Sequence, residues 1–161
     1  MRPTLDRMPI SLYVQSMRAR VGHDLLLLPA VSAVIRDDDD RILLGRSHGD
    51  ERWALIGGAV DPGEEPSEAI AREIQEELGV EAIVGRIIGA YGGEGMFITY
   101  PNGDQCAYVT TAYACRLMPG ALSLEEDELR EVAWFEPADI SALDTQPYLA
   151  RILTDDGVPI S

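Results

Sequence analysis

The sequence predicts an α/β (α+β) fold built on a mixed β-sheet with helices on both faces. Two observations lead to this prediction. Apolar and β-branched runs typical of strands lie before and after one strongly patterned helix at residues 66–78, and shorter helical patterns occur near both ends of the chain. The chain has 161 residues, of which 46% are hydrophobic and 25% charged. That is sufficient for one domain with its own core.

The N-terminal part is predicted to contain one helix. Residues 1–8 are expected to form a loose terminus. A helical pattern follows over residues 10–21 and ends near Gly22, with one apolar face formed by Ile10, Tyr13, Met17 and Val21. The four aspartates Asp37 to Asp40 are expected to form a solvated turn, because they lack the spacing of a calcium-binding loop.

The remaining elements follow from apolar runs and turn residues. A short strand at residues 53–56 is expected to lead into a loop that contains Gly57 and Gly58. Asn102 followed by Gly103 is the strongest short signal for a β-hairpin. Further strands are predicted at residues 30–35, 41–46, 81–91, 96–100, 107–117 and 132–135. Two short helices are predicted near the end, at residues 137–143 and 147–153.

Charge and cysteine usage restrict the classes of function. The net charge of −15 disfavours a nucleic-acid duplex or an anionic membrane as a partner, because binding their phosphates requires Lys and Arg. A small phosphate substrate is still compatible, since bound metal ions reverse the local charge. Cys106 and Cys115 form no CxxC pair and are expected to be buried, reduced thiols. The N-terminus lacks the apolar segment of a signal peptide, so a cytoplasmic enzyme is expected.

The stretch from Gly58 to Val80 combines a tight loop with an amphipathic helix. Asp61-Pro62-Gly63 has the composition of a turn. Pro66 suits the first helical turn, Ser67 or Glu65 can serve its free amides, and Gly79 is a good C-terminal stop. An apolar stripe with helical spacing is formed by Ala69, Ile70, Ile74 and Leu78.

Three carboxylates lie close together on the same predicted helix. Glu73 and Glu77 are four residues apart and Glu76 is three residues from Glu73, spacings that bring side chains together on one side of a helix. Arg72 can offset only one of these charges, so a hard divalent cation such as Mg²⁺ or Mn²⁺ would be needed to neutralise the others. Gly57 and Gly58 allow the backbone to approach closely and to direct a carbonyl inward. Such a site could hold a pyrophosphate and activate a water for in-line attack.

The same stretch resembles the Nudix box, G-x5-E-x7-R-E-U-x-E-E-x-G-U, where U is a bulky aliphatic residue. Every fixed position is filled, by Gly58, Glu64, Arg72, Glu73, Ile74, Glu76, Glu77, Gly79 and Val80. The resemblance implies a single Nudix hydrolase domain over residues 1–161, with a core of about residues 28–143. It implies an α/β/α sandwich that hydrolyses nucleoside diphosphates linked to another moiety, X, with Mg²⁺ or Mn²⁺. The segment at residues 100–104 and the stretch at 13–22 look like a bacterial branch often labelled ADP-ribose pyrophosphatase.

The resemblance also assigns roles to residues. Gly57 would offer a carbonyl to the metal, and Glu73, Glu76 and Glu77 would supply carboxylates. Arg72 and Glu64 would tie the loop to the helix, while Gly58 and Gly79 are structural positions of the box. The general base would be a box glutamate or a late acid, for which Glu128 is the candidate and Glu125 and Glu126 are the alternatives. The candidate catalytic set is Glu73, Glu76, Arg72 and Glu128.

The resemblance leaves the substrate open. The family usually has proline before the two glycines, whereas this chain has Ile56, which makes the approach to them less rigid. Aromatic candidates for substrate stacking are Tyr91, Phe97, Tyr100 and Tyr108. Many relatives are homodimers, and residues 13–21 could contribute to such a contact. The alternatives are hydrolysis of nucleoside triphosphates, a non-catalytic nucleotide-sensing domain, and an acidic structural domain that binds other proteins.

Overall fold

A computed structural model describes residues 10–160, so the predicted loose terminus at residues 1–8 lies outside the described part of the chain. The helices are α1 (Leu12–Val21), α2 (Pro66–Leu78), α3 (Pro137–Ile140) and α4 (Leu149–Asp155). The strands are β1 (Leu26–Ile35), β2 (Ile42–Ser47), β3 (Ile56–Ala59), β4 (Ala82–Tyr91), β5 (Phe97–Thr99), β6 (Gln105–Leu117) and β7 (Leu129–Phe135). A 3-10 turn at Glu94–Met96 precedes β5.

The main sheet is mixed, as the sequence predicts. Its order is β3-β1-β6-β4, and β5 adds to β6. Strand β1 runs parallel to β6, whereas β3, β4 and β5 are antiparallel to their neighbours. Strands β2 and β7 form a separate antiparallel pair. The hairpin predicted at Asn102-Gly103 joins β5 to β6, with Thr99 opposite Gln105.

Both faces of the main sheet are covered by helices, which confirms the predicted layers. Because side chains alternate along a strand, Val31 and Ile35 of β1 pack with the apolar stripe of α2, whereas Val34 points to the opposite side. There it joins the buried residues of α4, which are Leu149, Ile152 and Leu153. The carboxylates of α2 and the C-terminal helix therefore lie on opposite faces of the sheet.

Helix α1 covers the sheet with only part of the predicted face, since Met17 and Val21 pack inward as predicted but Ile10 and Tyr13 do not. Its apolar contacts to the sheet come from Val14, Met17 and Val21, which pack against Leu26 and Leu28. Tyr13 is 43% exposed and Ile10 is 39% exposed, so neither belongs to a buried face. The prediction failed because Tyr13 and Val14 are both apolar, and only the position of the sheet decides which of them is covered. Whether this helix pairs with a second copy of the chain stays a prediction.

The glycine pair lies in a strand rather than in a loop. The expected strand at residues 53–56 was wrong, because regular pairing begins at Ile56 and includes Gly57 and Gly58, which lie opposite Ser32 and Val31 of β1. A Cβ on Gly57 would lie 2.1 Å from the Val31 carbonyl oxygen, so glycine allows this close approach. Ile56, which precedes the two glycines, is buried and pairs with Ala33.

The aspartate turn and the cysteines follow the predictions. Asp37 organises the aspartate turn, since its Oδ1 accepts hydrogen bonds from the amides of Asp39 and Arg41 and its Oδ2 pairs with the Arg41 guanidinium at 2.7 Å. Cys106 and Cys115 are buried free thiols. Within residues 10–160, no helix combines the length and apolar character needed to cross a membrane.

Candidate active site

The site is built on helix α2, whose ends are fixed as the sequence predicts. Glu65 is the N-cap, its amide donates to Glu68 Oε2 at 3.1 Å, and Pro66 occupies the first helical position. Gly79 ends the helix with φ 70°, a left-handed conformation that favours glycine. The apolar stripe of the helix packs on the sheet, and this packing leaves Glu73 and Glu77 at the edge of the buried surface.

Helix α2 brings two of the predicted carboxylates into the interior. Glu73 and Glu77 are each only 8% exposed. One oxygen of each, with one of Glu128, forms a group in which all three atoms lie within 4.8 Å of one another. Three acids at this separation repel one another as carboxylates, and oxygen donors so arranged suit a hard divalent cation. The described residues therefore fit a metal ion at this place.

Glu76 lies outside this group. Its side chain is 53% exposed, and its Oε2 accepts a hydrogen bond from Arg72 Nη1 at 3.1 Å. The helical spacing alone places it as near to Glu73 as Glu77 is, but the sheet buries only one side of the helix. The structure thus separates Glu76 from the two buried glutamates with which the sequence groups it.

Glu128 joins the group because its loop is fastened to the end of helix α2. The amide of Ser123 donates to the Leu78 carbonyl at 2.9 Å, and the amide of Glu125 donates to the Glu77 carbonyl at 3.1 Å. A following turn, in which the Glu128 amide donates to the Glu125 carbonyl at 3.1 Å, directs Glu128 inward. Glu125 and Glu126 have exposed side chains. Of the three late acids, the structure therefore brings Glu128 to the site.

Arg72 and Glu64 connect the turn to the helix, as the box resemblance implies. Arg72 Nε donates to Glu64 Oε1 at 2.6 Å and Nη2 donates to Glu64 Oε2 at 3.1 Å. Nη2 also reaches the Ala59 carbonyl at 3.1 Å, and Nη1 reaches Glu73 Oε1 at 2.9 Å. Glu64 in turn accepts from the Asp61 amide at 3.0 Å. One guanidinium thus links β3, the turn and Glu73.

Gly58 leaves room for the Glu73 carboxylate. A Cβ on Gly58 would lie 2.3 Å from Glu73 Oε1 and 2.4 Å from its Cδ. Any larger residue would push this carboxylate out of its position. Gly57, the predicted carbonyl donor, is the neighbouring residue on β3 and pairs with Ser32. The two glycines therefore serve different contacts, one with the backbone of β1 and the other with the metal-ligand candidate.

Burial controls the protonation of the carboxylate group. Burial raises the pKa of Glu73 to about 7, although the nearby Arg72 guanidinium opposes the shift. Burial, together with the charges of Glu73 and Glu128, raises the pKa of Glu77 well above its usual value. Burial also raises the pKa of Glu128. Without a cation the group therefore retains protons near neutral pH, and a bound cation would displace them.

Three of the four aromatic candidates lie in packed environments. Tyr91 is buried in the cluster around α4, and its hydroxyl donates to Asp155 Oδ2 at 2.8 Å. The hydroxyls of Tyr100 and Tyr108 are 2.7 Å apart, and both rings pack in the cluster under α1. Phe97 is 55% exposed on β5. The structure does not bring Tyr91 to the carboxylate group.

Tyr148 is an aromatic residue near the site that the sequence did not indicate. Its ring packs against the cluster around α4, and burial raises its pKa to about 12, with the negative charges of Asp50 and Glu77 acting in the same direction. The preceding segment is fastened to Trp53, whose amide donates to the Asp144 carbonyl at 2.9 Å and whose carbonyl accepts from the Gln146 amide at 2.9 Å. No sequence signal marks this contact, because it joins residues almost one hundred positions apart.

Comparisons with known proteins identify the family. The family model described as NUDIX domain matches residues 26–155. The chain is 29% identical over 110 residues to the nucleoside triphosphatase NudI of Escherichia fergusonii, covering 66% of this chain and 77% of that one. A MutT protein from Methanosarcina mazei Go1 has a similar structure, with TM-score 0.64, 25% identity and coverage of 83% of this chain and 96% of that one.

A solved UDP-X diphosphatase is also similar in structure. It has TM-score 0.57 and 28% identity, and the match covers 76% of this chain and 57% of that one. This chain therefore spans little more than half of that protein.

Proposed function

Because the chain belongs to the NUDIX family and is a Nudix pyrophosphohydrolase, we propose that it hydrolyses the pyrophosphate bond of a nucleoside diphosphate linked to another moiety, with Mg²⁺ or Mn²⁺ as cofactor. The observation that carries the proposal is the buried group of Glu73, Glu77 and Glu128. The candidate substrates include ADP-ribose, sugar nucleotides and dinucleotides.

Within this proposal, Glu73 and Glu77 hold the cation with Glu128 beside them, and the Gly57 carbonyl and the more exposed Glu76 are further ligand candidates. A divalent cation at this place supplies charge neutralisation of the pyrophosphate oxygens and makes a nearby water more acidic. Arg72 and Glu64 act as positioning residues, since their contacts fix the turn and the Glu73 carboxylate. They hold the ligand geometry without contributing a reacting atom.

Glu128 is our candidate for the general base. It comes from a loop rather than from the helix, and it is less buried than Glu73 and Glu77. One of its carboxylate oxygens lies within 4.8 Å of an oxygen of each of the two buried glutamates, so it would be within reach of a water held by a cation there. In this role it would take the proton of the attacking water while Glu73 and Glu77 remain with the cation.

A panel of substrates tests the reaction class. Purified protein with Mg²⁺ or Mn²⁺ would be incubated with ADP-ribose, NADH, UDP-glucose, a dinucleoside polyphosphate and the common nucleoside triphosphates. We expect release of a nucleoside monophosphate from at least one linked diphosphate, and loss of this activity on addition of EDTA. Failure to cleave any compound of the panel would contradict the proposal.

Matched variants test the residues. Glu77→Gln removes a charge from the buried group and should lower kcat by about 10²-fold or more. Glu126→Gln lies on the same loop as Glu128 but has an exposed side chain, so it should leave kcat unchanged. If Glu77→Gln retains full activity, the ligand assignment is wrong.

Nucleoside triphosphate hydrolysis is the second candidate, and one specific observation favours it. The Escherichia fergusonii relative with 29% identity is named a nucleoside triphosphatase, and the match covers most of that protein. Release of pyrophosphate from nucleoside triphosphates at a higher kcat/KM than from any linked diphosphate would favour this alternative. A sensing domain would be favoured instead if the protein binds a nucleotide with an affinity that Glu77→Gln changes, but hydrolyses no compound of the panel.

A further inference from the structure

A cavity lies on the face of the main sheet opposite to helix α2. It has a volume of about 380 Å³ and lies beside the residues that follow α4, a size within the range of small-molecule sites. Three neighbouring strands each contribute an arginine near one end, Arg36 after β1, Arg116 in β6 and Arg86 in β4. The whole chain has only 13 cationic residues against 28 acidic ones, so this convergence concentrates positive charge in an acidic protein.

One buried carboxylate within the cavity is already held by two of these arginines. Asp156 Oδ2 accepts from Arg36 Nη2 at 2.7 Å and from Arg36 Nε at 3.2 Å, and Asp156 Oδ1 pairs with Arg86. The Asp156 side chain is only 3% exposed. Two guanidinium groups thus contact a single buried acid, and the third, that of Arg116, lines the same cavity. Arg86 and Arg116 keep more than half of their side-chain surface exposed, so both have free donors.

The other acids near the cavity lie in water and hold the arginines weakly. Arg116 Nη1 is 3.3 Å from Asp38 Oδ1, and the Asp38 side chain is fully exposed. Arg36 Nη1 is 3.9 Å from Asp40, which is also exposed, whereas Asp37 is committed to Arg41. Exposed ion pairs contribute little free energy. A ligand that offers two or three oxygens to a guanidinium can therefore displace Asp38.

We propose that this cavity binds a phosphate dianion, either inorganic phosphate or the phosphate of a phosphomonoester, through Arg86 and Arg116, with Arg36 behind them. Guanidinium groups match phosphate oxygens with paired hydrogen bonds. Ile83, which also lines the cavity and is 58% exposed, offers an apolar surface for the organic part of a monoester. This site is separate from the carboxylate group of α2, and the proposal does not depend on the proposed function.

An NMR titration of the full-length protein tests the proposal. Inorganic phosphate and AMP would be titrated separately at constant low ionic strength with EDTA, so that no cation at the α2 carboxylates can bind the phosphate group. We expect saturable amide shifts confined to Gly85, Arg86, Arg116 and Asp156. A lower Kd for AMP than for phosphate would assign the site to a monoester, whereas a higher Kd for AMP would assign it to free phosphate, and equal values would show that the site binds the phosphate group of either.

Three variants make the test specific. Arg116→Gln should raise the Kd by about fivefold or more, since it removes a charged donor. Asp38→Asn should lower the Kd, because it removes the acid that competes for Arg116. Arg20→Gln, an exposed arginine on α1, is the matched control and should change nothing. Shifts that are absent, do not saturate, or respond equally to Arg116→Gln and Arg20→Gln would overturn the proposal.

Discussion

The Arg72 guanidinium donates two hydrogen bonds to the Glu64 carboxylate, from Nε to Oε1 at 2.6 Å and from Nη2 to Oε2 at 3.1 Å. This paired contact joins the turn after β3 to the middle of α2. The same guanidinium also contacts Glu73. The geometry of the carboxylate group therefore depends on a residue that need not touch a substrate.

Glu64→Gln should destabilise the protein and loosen the turn. The change removes the charge from a hydrogen-bonded pair that is largely shielded from water, which corresponds to about 2 kcal/mol of unfolding free energy. Urea unfolding in EDTA would measure it, and Glu81→Gln, an exposed glutamate, is the control. Equal stability of the two variants would show that the pair contributes nothing measurable.

Gly57→Ala should lower the stability of the protein, whereas Gly58→Ala should lower its affinity for a metal ion. A Cβ at position 57 meets the backbone of Val31, so the strand pairing must shift, and we expect a loss of at least about 2 kcal/mol in unfolding free energy. A Cβ at position 58 meets only the carboxylate of Glu73, which can rotate away. Gly58→Ala should therefore fold nearly as well as the wild type but lose Mn²⁺ affinity in calorimetry. Normal Mn²⁺ affinity in this variant would remove Glu73 from the ligand set.

The metal-free protein should become less stable as pH rises from about 5 to 7. Burial raises the pKa of Glu73 to about 7 from its ordinary value of 4.5. The folded state therefore holds a proton that the unfolded state has lost between these two values, and unfolding free energy falls with pH in this window. The shift corresponds to about 3 kcal/mol.

Urea unfolding in EDTA at several pH values measures this dependence. Glu73→Gln cannot ionise, so it should show a smaller fall than the wild type. Addition of Mn²⁺ near pH 7.5 should restore stability to the wild type, because the cation binds only the folded ligand group. A wild-type stability that stays constant or rises over this window would contradict the burial argument.

Tyr91→Phe should affect stability rather than substrate binding. Its hydroxyl donates to Asp155 at 2.8 Å in a buried cluster, and removing it should cost about 1.5 kcal/mol of unfolding free energy. Thermal unfolding and KM would be measured together, with the exposed Tyr13→Phe as control. A raised KM with unchanged stability would restore Tyr91 as a substrate residue.

The sequence by itself determined helix α2 and the spacing of its glutamates. Its apolar stripe, its proline at the start and its glycine at the end act over a few residues, and these short-range features fix the length and rotation of a helix. The order of strands and helices similarly indicated a mixed sheet between helical layers. The complete box then pointed to the family that the comparison confirmed.

The tertiary structure decided which acids meet. Glu76 and Glu77 have equivalent local spacing to Glu73, yet packing on the sheet buries Glu77 and leaves Glu76 with Arg72. Glu128 reaches the group only because its loop is hydrogen-bonded to the end of α2, about fifty residues earlier in the chain. Contacts across such distances depend on how whole elements pack, and no local pattern in the sequence encodes them.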